Sequence, residues 1–416
     1  MPKILPFRGI LYNVSKVHAE DVLAPPYDII TSERQEELYK RSPYNIVRVD
    51  LGKEYPDDNE RENKYSRARQ HLEAWMREGI LIRSEEPSFY AYEMSYIING
   101  RNKRLTGFLG LVQLEELGKG KIYPHECTYS RPKQDRLNLL RSCEANISPI
   151  FSLYKSSENG ISAILSEVSS ATPYIEARDV DGAIHKIWPF DDQKKIEIIT
   201  RELEDKPIFI ADGHHRYETA FEFNREMRRI KNLGIQSYDY VLMFLVNIMD
   251  EGITILPTHR LVKETGRNII NKIPPEFFSV EPVESDFYVE GRLGGQKGRF
   301  GLFQNRDEKW YLLKHMGGDL SELPPDLRDI DVFILHELVL KKILKTTEIG
   351  YEMAVETALD KVRKGQYTAA FFLNPTRVED VEKAALSSVR MPPKSTYFYP
   401  KLLTGLVISK WDIQER

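Results

Sequence analysis

The stretch KPIFIADGHHRYETAFEF, residues 206–223, limits the fold of this chain more than any other segment. An apolar run ending at Ala211 reads as a buried strand. Gly213 then permits a tight reversal, and Tyr217-Glu218-Thr219-Ala220 opens an amphipathic helix. The first amides of such a helix have no partner within it, and its dipole favours negative charge there, so the turn is a ready anion site. Asp212 is placed to hold a metal or orient an imidazole. His214, His215 and Arg216 would converge on phosphate oxygens, with arginine suited to bidentate contact and histidine to proton transfer. A helix cap needs one such side chain, and four follow one another here.

The rest of the chain alternates in the same way. NIVRVDLG after Pro43 reads as a strand, and 57–79 reads as a long helix ending at Gly79. FYAYEMSYI, the turn Asn99-Gly100 and KRLTGFLGLVQL form a hairpin signal. SPIFSLY (148–154) and YVLMFLVNI (240–248) read as buried strands, and Tyr217 to Leu233 as a helix. The expectation is a mixed α/β (α+β) fold in three parts: an N-terminal α/β segment over 1–85, a catalytic core over 86–265, and a C-terminal α/β domain over 266–416. The Pro-punctuated tail is expected to return across the core.

Composition closes off several functions. A net charge of −4 and a pI of about 6.2 over 416 residues argue against a broad basic face for nucleic acid. No apolar window has the length of a membrane span, and the opening stretch lacks a leader's cleavage pattern. Cys127 and Cys143 form no CxxC pair, so neither disulfides nor a cysteine zinc site is expected, which suits the cytoplasm.

The strand–DGHHR–helix box resembles the signature of the ParB/sulfiredoxin-like superfamily, which includes ParB partition proteins, sulfiredoxins and free serine kinases. The whole chain also resembles a large uncharacterised bacterial and archaeal family. That likeness is carried by APPYDII (24–30), YPHECT (123–128), KQDRLNLL (133–140), SPIF (148–151), ADGHHRYETA (211–220), LPTHRLV (256–262), DVFILHELVL (331–340) and MPPKSTYFYPKLLTGLV (391–407). The resemblance implies a ParB/sulfiredoxin-like core with added N- and C-terminal segments. Sulfiredoxin chemistry would need a cysteine where this chain has His214. Partition would need a basic helix-turn-helix after the box, and NREMRRIKN (224–232) reads instead as the solvated face of one helix.

In the serine kinases, the resemblance implies, a glutamate in a PHE-type segment accepts the substrate hydroxyl's proton. Here that residue is Glu126, next to His125. Glu126, Asp212 and His215 are then the candidate catalytic residues, with Asp212 also the candidate Mg²⁺ ligand. Gly213, His214, His215, Arg216, Arg131 and Lys133 are the candidate phosphate-binding residues. His125, Thr258, His259 and Arg260 are the candidate substrate contacts, the last three read as a loop beyond a strand. The implied reaction is Mg²⁺-dependent phosphorylation of a small amino-acid hydroxyl, free L-serine above all, from ATP, ADP or pyrophosphate. A nucleotide-responsive DNA-binding protein and a nuclease or other hydrolase are the alternatives. Pro25, Pro26, Tyr27 and Asp28 read as a rigid entry segment or a pocket rim. His336 reads as a core histidine, and Lys394 and Lys401 as basic residues of the tail.

Overall fold

The computed structural model describes residues 2–128, 130–230, 234–263, 268–283, 289–305, 309–346 and 348–411, with the side chains of 130, 131, 289 and 290 left aside. The chain packs into two compact units. One comprises residues 1–124, 128–253 and 400–416, the other 125–127 and 254–399. The fold is mixed α/β.

The first unit is built on a nine-stranded sheet: β1 (Ile4–Leu5), β2 (Phe89–Ile98), β3 (Arg101–Gln113), β4 (Ile122–Pro124), β5 (Ile150–Tyr154), β6 (Ile175–Arg178), β7 (Ile184–Phe190), β8 (Ile208–Asp212) and β9 (Tyr240–Asn247). Its order is β4-β8-β5-β9-β3-β2-β7-β6, with β1 added on β3. β8 runs parallel to β4 and β9 parallel to β5, while the other pairs are antiparallel. The β2–β3 hairpin turns at Asn99 (φ 49°) and Gly100 (φ 70°), the left-handed pair that a two-residue loop requires.

The longer helices of this unit among the described residues include α1 (Lys64–Arg77), α2 (Ser130–Cys143), α3 (Gly160–Val168), α4 (Gln193–Leu203) and α5 (His214–Ile230). Leu137 and Leu140 of α2, Ile161 and Leu165 of α3, Ile196 and Ile199 of α4, and Tyr217, Ala220 and Phe223 of α5 share one core with Val241, Met243 and Leu245 of β9. The spacing of these residues is the helical i, i+3, i+4 repeat set against the strand's period of two.

Thr31 caps the helix Ser32–Arg41 by accepting the Arg34 amide, as expected for a threonine before a polar helix. NIVRVDLG departs from expectation. Val47–Asp50 is a short helix, because the Asn45 side chain accepts the Val47 amide and donates to the carbonyls of Asp21 and Leu23. An asparagine whose side chain bonds the backbone two residues on overrode the Val-x-Val alternation that reads as a strand. The long helix expected over 57–79 begins at Lys64, where Asn63 and Ser66 form a capping box.

The tail from Pro400 on belongs to this unit. Ser409–Lys410 pairs with Ala145–Asn146, Ile408 exchanges both amide bonds with Ile10, and Trp411 stacks on Phe223 at 5.0 Å.

The second unit carries a six-stranded sheet of β10 (His259–Val262), β11 (Phe278–Val283), β12 (Arg299–Gln304), β13 (Lys309–His315), β14 (Ile349–Glu352) and β15 (Ala369–Leu373), in the order β11-β13-β12-β15-β10-β14. Beside this sheet a short α turn, Asp331–Phe333, is followed by a π-helical run, Ile334–Leu344. Its Ile334, Leu335, Leu338 and Val339 pack on Phe300 and Phe371 of the sheet. Among the described residues no helix is long and apolar enough to cross a membrane.

The tail's place in the first unit predicts the effect of cutting it back. Ile408 is fully buried, so Ile408→Ala should cost about 2–5 kcal/mol by urea denaturation. A loss below about 1 kcal/mol would show that the tail is not part of that core.

Candidate functional site

β8 ends at Asp212, and α5 begins at His214. Gly213 makes the reversal at φ +96°, where a side chain is strained. A Cβ there would also lie 3.0 Å from the Arg216 guanidinium. The Tyr217 amide closes the first turn on the Gly213 carbonyl at 3.0 Å. Tyr217 then pins the helix with its phenol, which donates to the Glu115 carbonyl (2.7 Å) and accepts the Glu115 amide (2.9 Å). His214 is buried, and His215 and Arg216 are half-buried.

Several segments singled out in the sequence meet around this turn. Arg216 donates to the Ser148 hydroxyl at 3.3 Å and to the Pro149 carbonyl, which ties the start of α5 to the approach to β5. Its Nη2 lies 3.7 Å from Asp212 Oδ2, and Lys401 Nζ donates to the same oxygen at 3.2 Å. Behind them Arg136 is buried. It donates to the Asp50 carboxylate (2.9 Å), the Asp50 carbonyl (2.8 Å) and Asp135 (2.6 and 2.9 Å), and its guanidinium lies 4.0 Å from the Tyr27 ring centre.

Burial shapes the charges in this cluster. It pushes the Tyr27 phenol up to about 12 against the pull of Arg136. It also raises the Asp50 carboxyl, with Arg136 and Arg216 opposing. For Asp135 burial acts upward too, but Arg136 and Lys64 outweigh it and hold the carboxyl down to about 2.

The other expected phosphate contacts are engaged elsewhere. Lys133 is paired with Glu218 at 3.1 Å, and Glu218 also accepts the Thr128 hydroxyl at 2.6 Å. The Arg131 side chain lies outside the described residues. In the basic run after the box, Arg228 is tied to Asp239 and to the Gly234 carbonyl at 3.0 Å, and residues 231–232 lie outside the described residues.

Mg²⁺ does not fit these residues as a protein-built site. Asp212 is already flanked by Lys401 and Arg216, and no group of three His, Cys, Asp or Glu suited to a metal occurs among the described residues. A magnesium ion that keeps its waters and rides on substrate phosphates needs no such cage.

The remaining candidates form a polar cluster within the second unit. His125 Nε2 lies 2.9 Å from the Thr396 hydroxyl, and Glu126 Oε1 accepts the Thr396 amide and hydroxyl, each at 3.1 Å. Arg390 donates to the Glu126 carbonyl at 2.8 Å. Thr258-His259-Arg260 is not an exposed loop: His259 and Arg260 open β10, and all three are buried. The run reads as a loop because β10 begins only two residues after Pro257, and a proline there suggests a loop. Arg260 donates to His336 Nε2 (3.1 Å), the Lys394 carbonyl (3.0 Å) and the Thr258 carbonyl. Its guanidinium is lowered to about 10 by burial, against the attraction of Tyr351 and Glu126.

Sequence reasoning missed Asp50 and Asn146, and it named the segment of Ser148 without giving that residue a role. Asp50 carried a signal, a lone carboxylate in the run NIVRVDLG. Asn146 is neutral and carried none.

The chain belongs to the family described as "Protein of unknown function (DUF1015)", whose model matches residues 4–333. No curated protein matches it. Similar solved structures include a conserved hypothetical protein from Pyrococcus furiosus, 16% identical, covering 68% of this chain and 89% of its own, at a TM-score of 0.36. A free serine kinase in complex with AMP is 14% identical, with coverage of 68% and 92% and a TM-score of 0.35. A C-terminally truncated SbnI from Staphylococcus aureus is 11% identical, with coverage of 71% and 85% and a TM-score of 0.36. Likeness at this level carries no inference about activity.

The buried imidazoles of the second unit predict its response to acid. Burial, then Arg260, lowers His259 to about 4 and His336 to about 3. Both groups take up protons more readily when unfolded, so their stability is complete above the unfolded pKa of about 6.5 and is lost as pH falls towards 4. For His259 the loss is on the order of 3 kcal/mol. Neither His259 nitrogen has a hydrogen-bond partner, so His259→Leu should keep its stability at pH 7.5 and flatten the decline in melting temperature towards pH 4.5. An unchanged slope would place the acid sensitivity elsewhere.

Proposed function

We propose that this chain is a phosphotransferase that moves a phosphoryl group from ATP, ADP or pyrophosphate to the hydroxyl of a small acceptor, free L-serine being the best single candidate. The observation that carries the reading is the glycine-set turn between β8 and α5. It opens a 17-residue helix with two histidines and an arginine in its first turn, and Lys401 stands beside it. Oriented amides and fixed cations of this kind stabilise the charge that develops on a transferring phosphoryl group. β4 and β8 are also parallel neighbours in the sheet, and crevices at the carboxyl ends of parallel strands are the usual ligand sites of α/β folds.

In the proposed step the acceptor oxygen attacks the terminal phosphorus of the donor. The anhydride P–O bond breaks, and its electrons leave with AMP, ADP or phosphate according to the donor. The hydroxyl proton passes to a carboxylate, the role that the PHE-type segment gives to Glu126. A carboxylate is a sufficient acceptor because the proton leaves as the P–O bond forms. Gly213, His214, His215 and Arg216 hold the donor phosphates, His215 facing the group in transfer, and Asp212 keeps Arg216 and Lys401 in place. Mg²⁺ is expected to arrive with the donor.

Full-length protein with L-serine, Mg²⁺ and each donor in turn should form O-phosphoserine, followed by ³¹P NMR. Glu126→Gln should lower turnover by roughly 10²–10⁴ while leaving donor affinity within about threefold. A folded wild type that forms no phosphoserine with any of the three donors contradicts the assignment.

A further inference from the structure

Asp50 and Asn146 are each more than nine-tenths buried, at 3% and 8% exposure. Both line a half-open cavity of about 40 Å³ in the first unit, together with Arg136, Ser148 and Arg216. Each carries one side-chain polar atom with no hydrogen-bond partner among the described residues, Oδ2 of Asp50 and Nδ2 of Asn146. A buried polar atom left in this state costs about 1–3 kcal/mol, so two on residues that line one cavity point to an occupant.

The two atoms also define the occupant's chemistry. Asp50 Oδ1 is taken by Arg136, so Oδ2 calls for a donor. Asn146 Oδ1 accepts the Leu242 amide at 3.3 Å. Flipping the amide would set donor against donor, so Nδ2 is fixed as a group that calls for an acceptor. Arg216 adds a second cationic donor beside Ser148. A simple anion would satisfy Asn146 and Arg216 but oppose Asp50, and a simple cation would do the reverse. An ammonium and a carboxylate one carbon apart satisfy both sides.

We propose that this cavity is the binding site for the α-ammonium and α-carboxylate of a small free amino acid, with Asp50 taking the ammonium and Asn146 and the Ser148 side of the Arg216 guanidinium the carboxylate, while its Asp212 side keeps to the donor phosphates. The proposal names the acceptor class for the phosphotransfer proposed above, and it rests on that reading for its chemical purpose. The apolar walls, Leu139, Leu140 and Ile147, and the small volume favour short side chains.

The test is calorimetric titration of the full chain with no phosphoryl donor present. L-serine and glycine should bind saturably. Ethanolamine and glycolate, each lacking one charged group, should bind at least about tenfold more weakly, the loss expected when a buried charged partner is left unpaired, and L-phenylalanine should not bind. Asn146→Ala should raise the KM for serine by about tenfold, with kcat and donor affinity held within about threefold. Asp50→Asn should weaken glycine more than glycolate, with folding checked by circular dichroism because the Arg136 pair is altered. Absence of binding by serine and glycine, equal binding of all four small probes, or an Asn146→Ala enzyme with an unchanged serine KM would each overturn the proposal. If serine binds as expected but no phosphoserine forms, the phosphotransfer reading fails and the amino-acid site stands. Phosphoserine formation with an unchanged KM in Asn146→Ala gives the opposite result.

Discussion

A guanidinium taken out of water must find acceptors for a planar array of donors or lose several kcal/mol. Arg136 finds them in the Asp50 carboxylate and carbonyl and in Asp135, and it lies against the Tyr27 ring. These bonds gather the entry segment at 27, the helix ending at 50 and the start of α2 around one charge. Asp135 is held in turn by Lys64 at 2.7 Å and by the Tyr65 hydroxyl at 2.9 Å, which adds the first turn of α1. Removing the guanidinium would leave a buried carboxylate without its counter-charge, a more costly state than either partner's absence from an apolar core.

Arg216 is the second peg, and it works through the backbone. The strand-to-helix reversal needs the left-handed conformation of Gly213, and the open space over that glycine is where the Arg216 guanidinium passes on its way to Ser148 and Pro149. A residue in the helix's first turn therefore fixes its direction against β5, while its charge stays near Asp212 and Asp50. A turn built in this way is preorganised, so its amides and cations need little rearrangement when an anion arrives. In the second unit, by contrast, Arg260 is satisfied by neutral acceptors, two carbonyls and His336, so its charge is less fully compensated than that of Arg136.

Local patterns were legible in the sequence and distant ones were not. The β2–β3 hairpin, β8 with its turn and α5, and strands β5 and β9 follow from period-two or helical spacing punctuated by Asn-Gly or a lone glycine. Segment 45–50 reads as a strand but is helical, because the three side-chain hydrogen bonds of Asn45 outweigh an alternation of only two valines. The bond between Arg136 and Asp50 spans 86 residues, and that between Lys401 and Asp212 spans 189. No periodicity encodes such separations, so the box's residues could be named while their partners could not. Likewise the chain crosses between its two units at 124–128 and again near 253 and 400, and only the last lies in a stretch, the Pro-punctuated tail, that composition sets apart.

The central claim is that the phosphates of a phosphoryl donor sit at the turn formed by Gly213, His214, His215 and Arg216. Calorimetric titration of pyrophosphate and ADP into the full chain, with and without Mg²⁺, tests it most directly. The account predicts saturable binding that weakens by about tenfold or more in His215→Ala while the circular dichroism spectrum is kept, as expected when a contact to a bound phosphate is removed. Undiminished affinity in that variant, or no binding of either ligand by folded wild type, would contradict it.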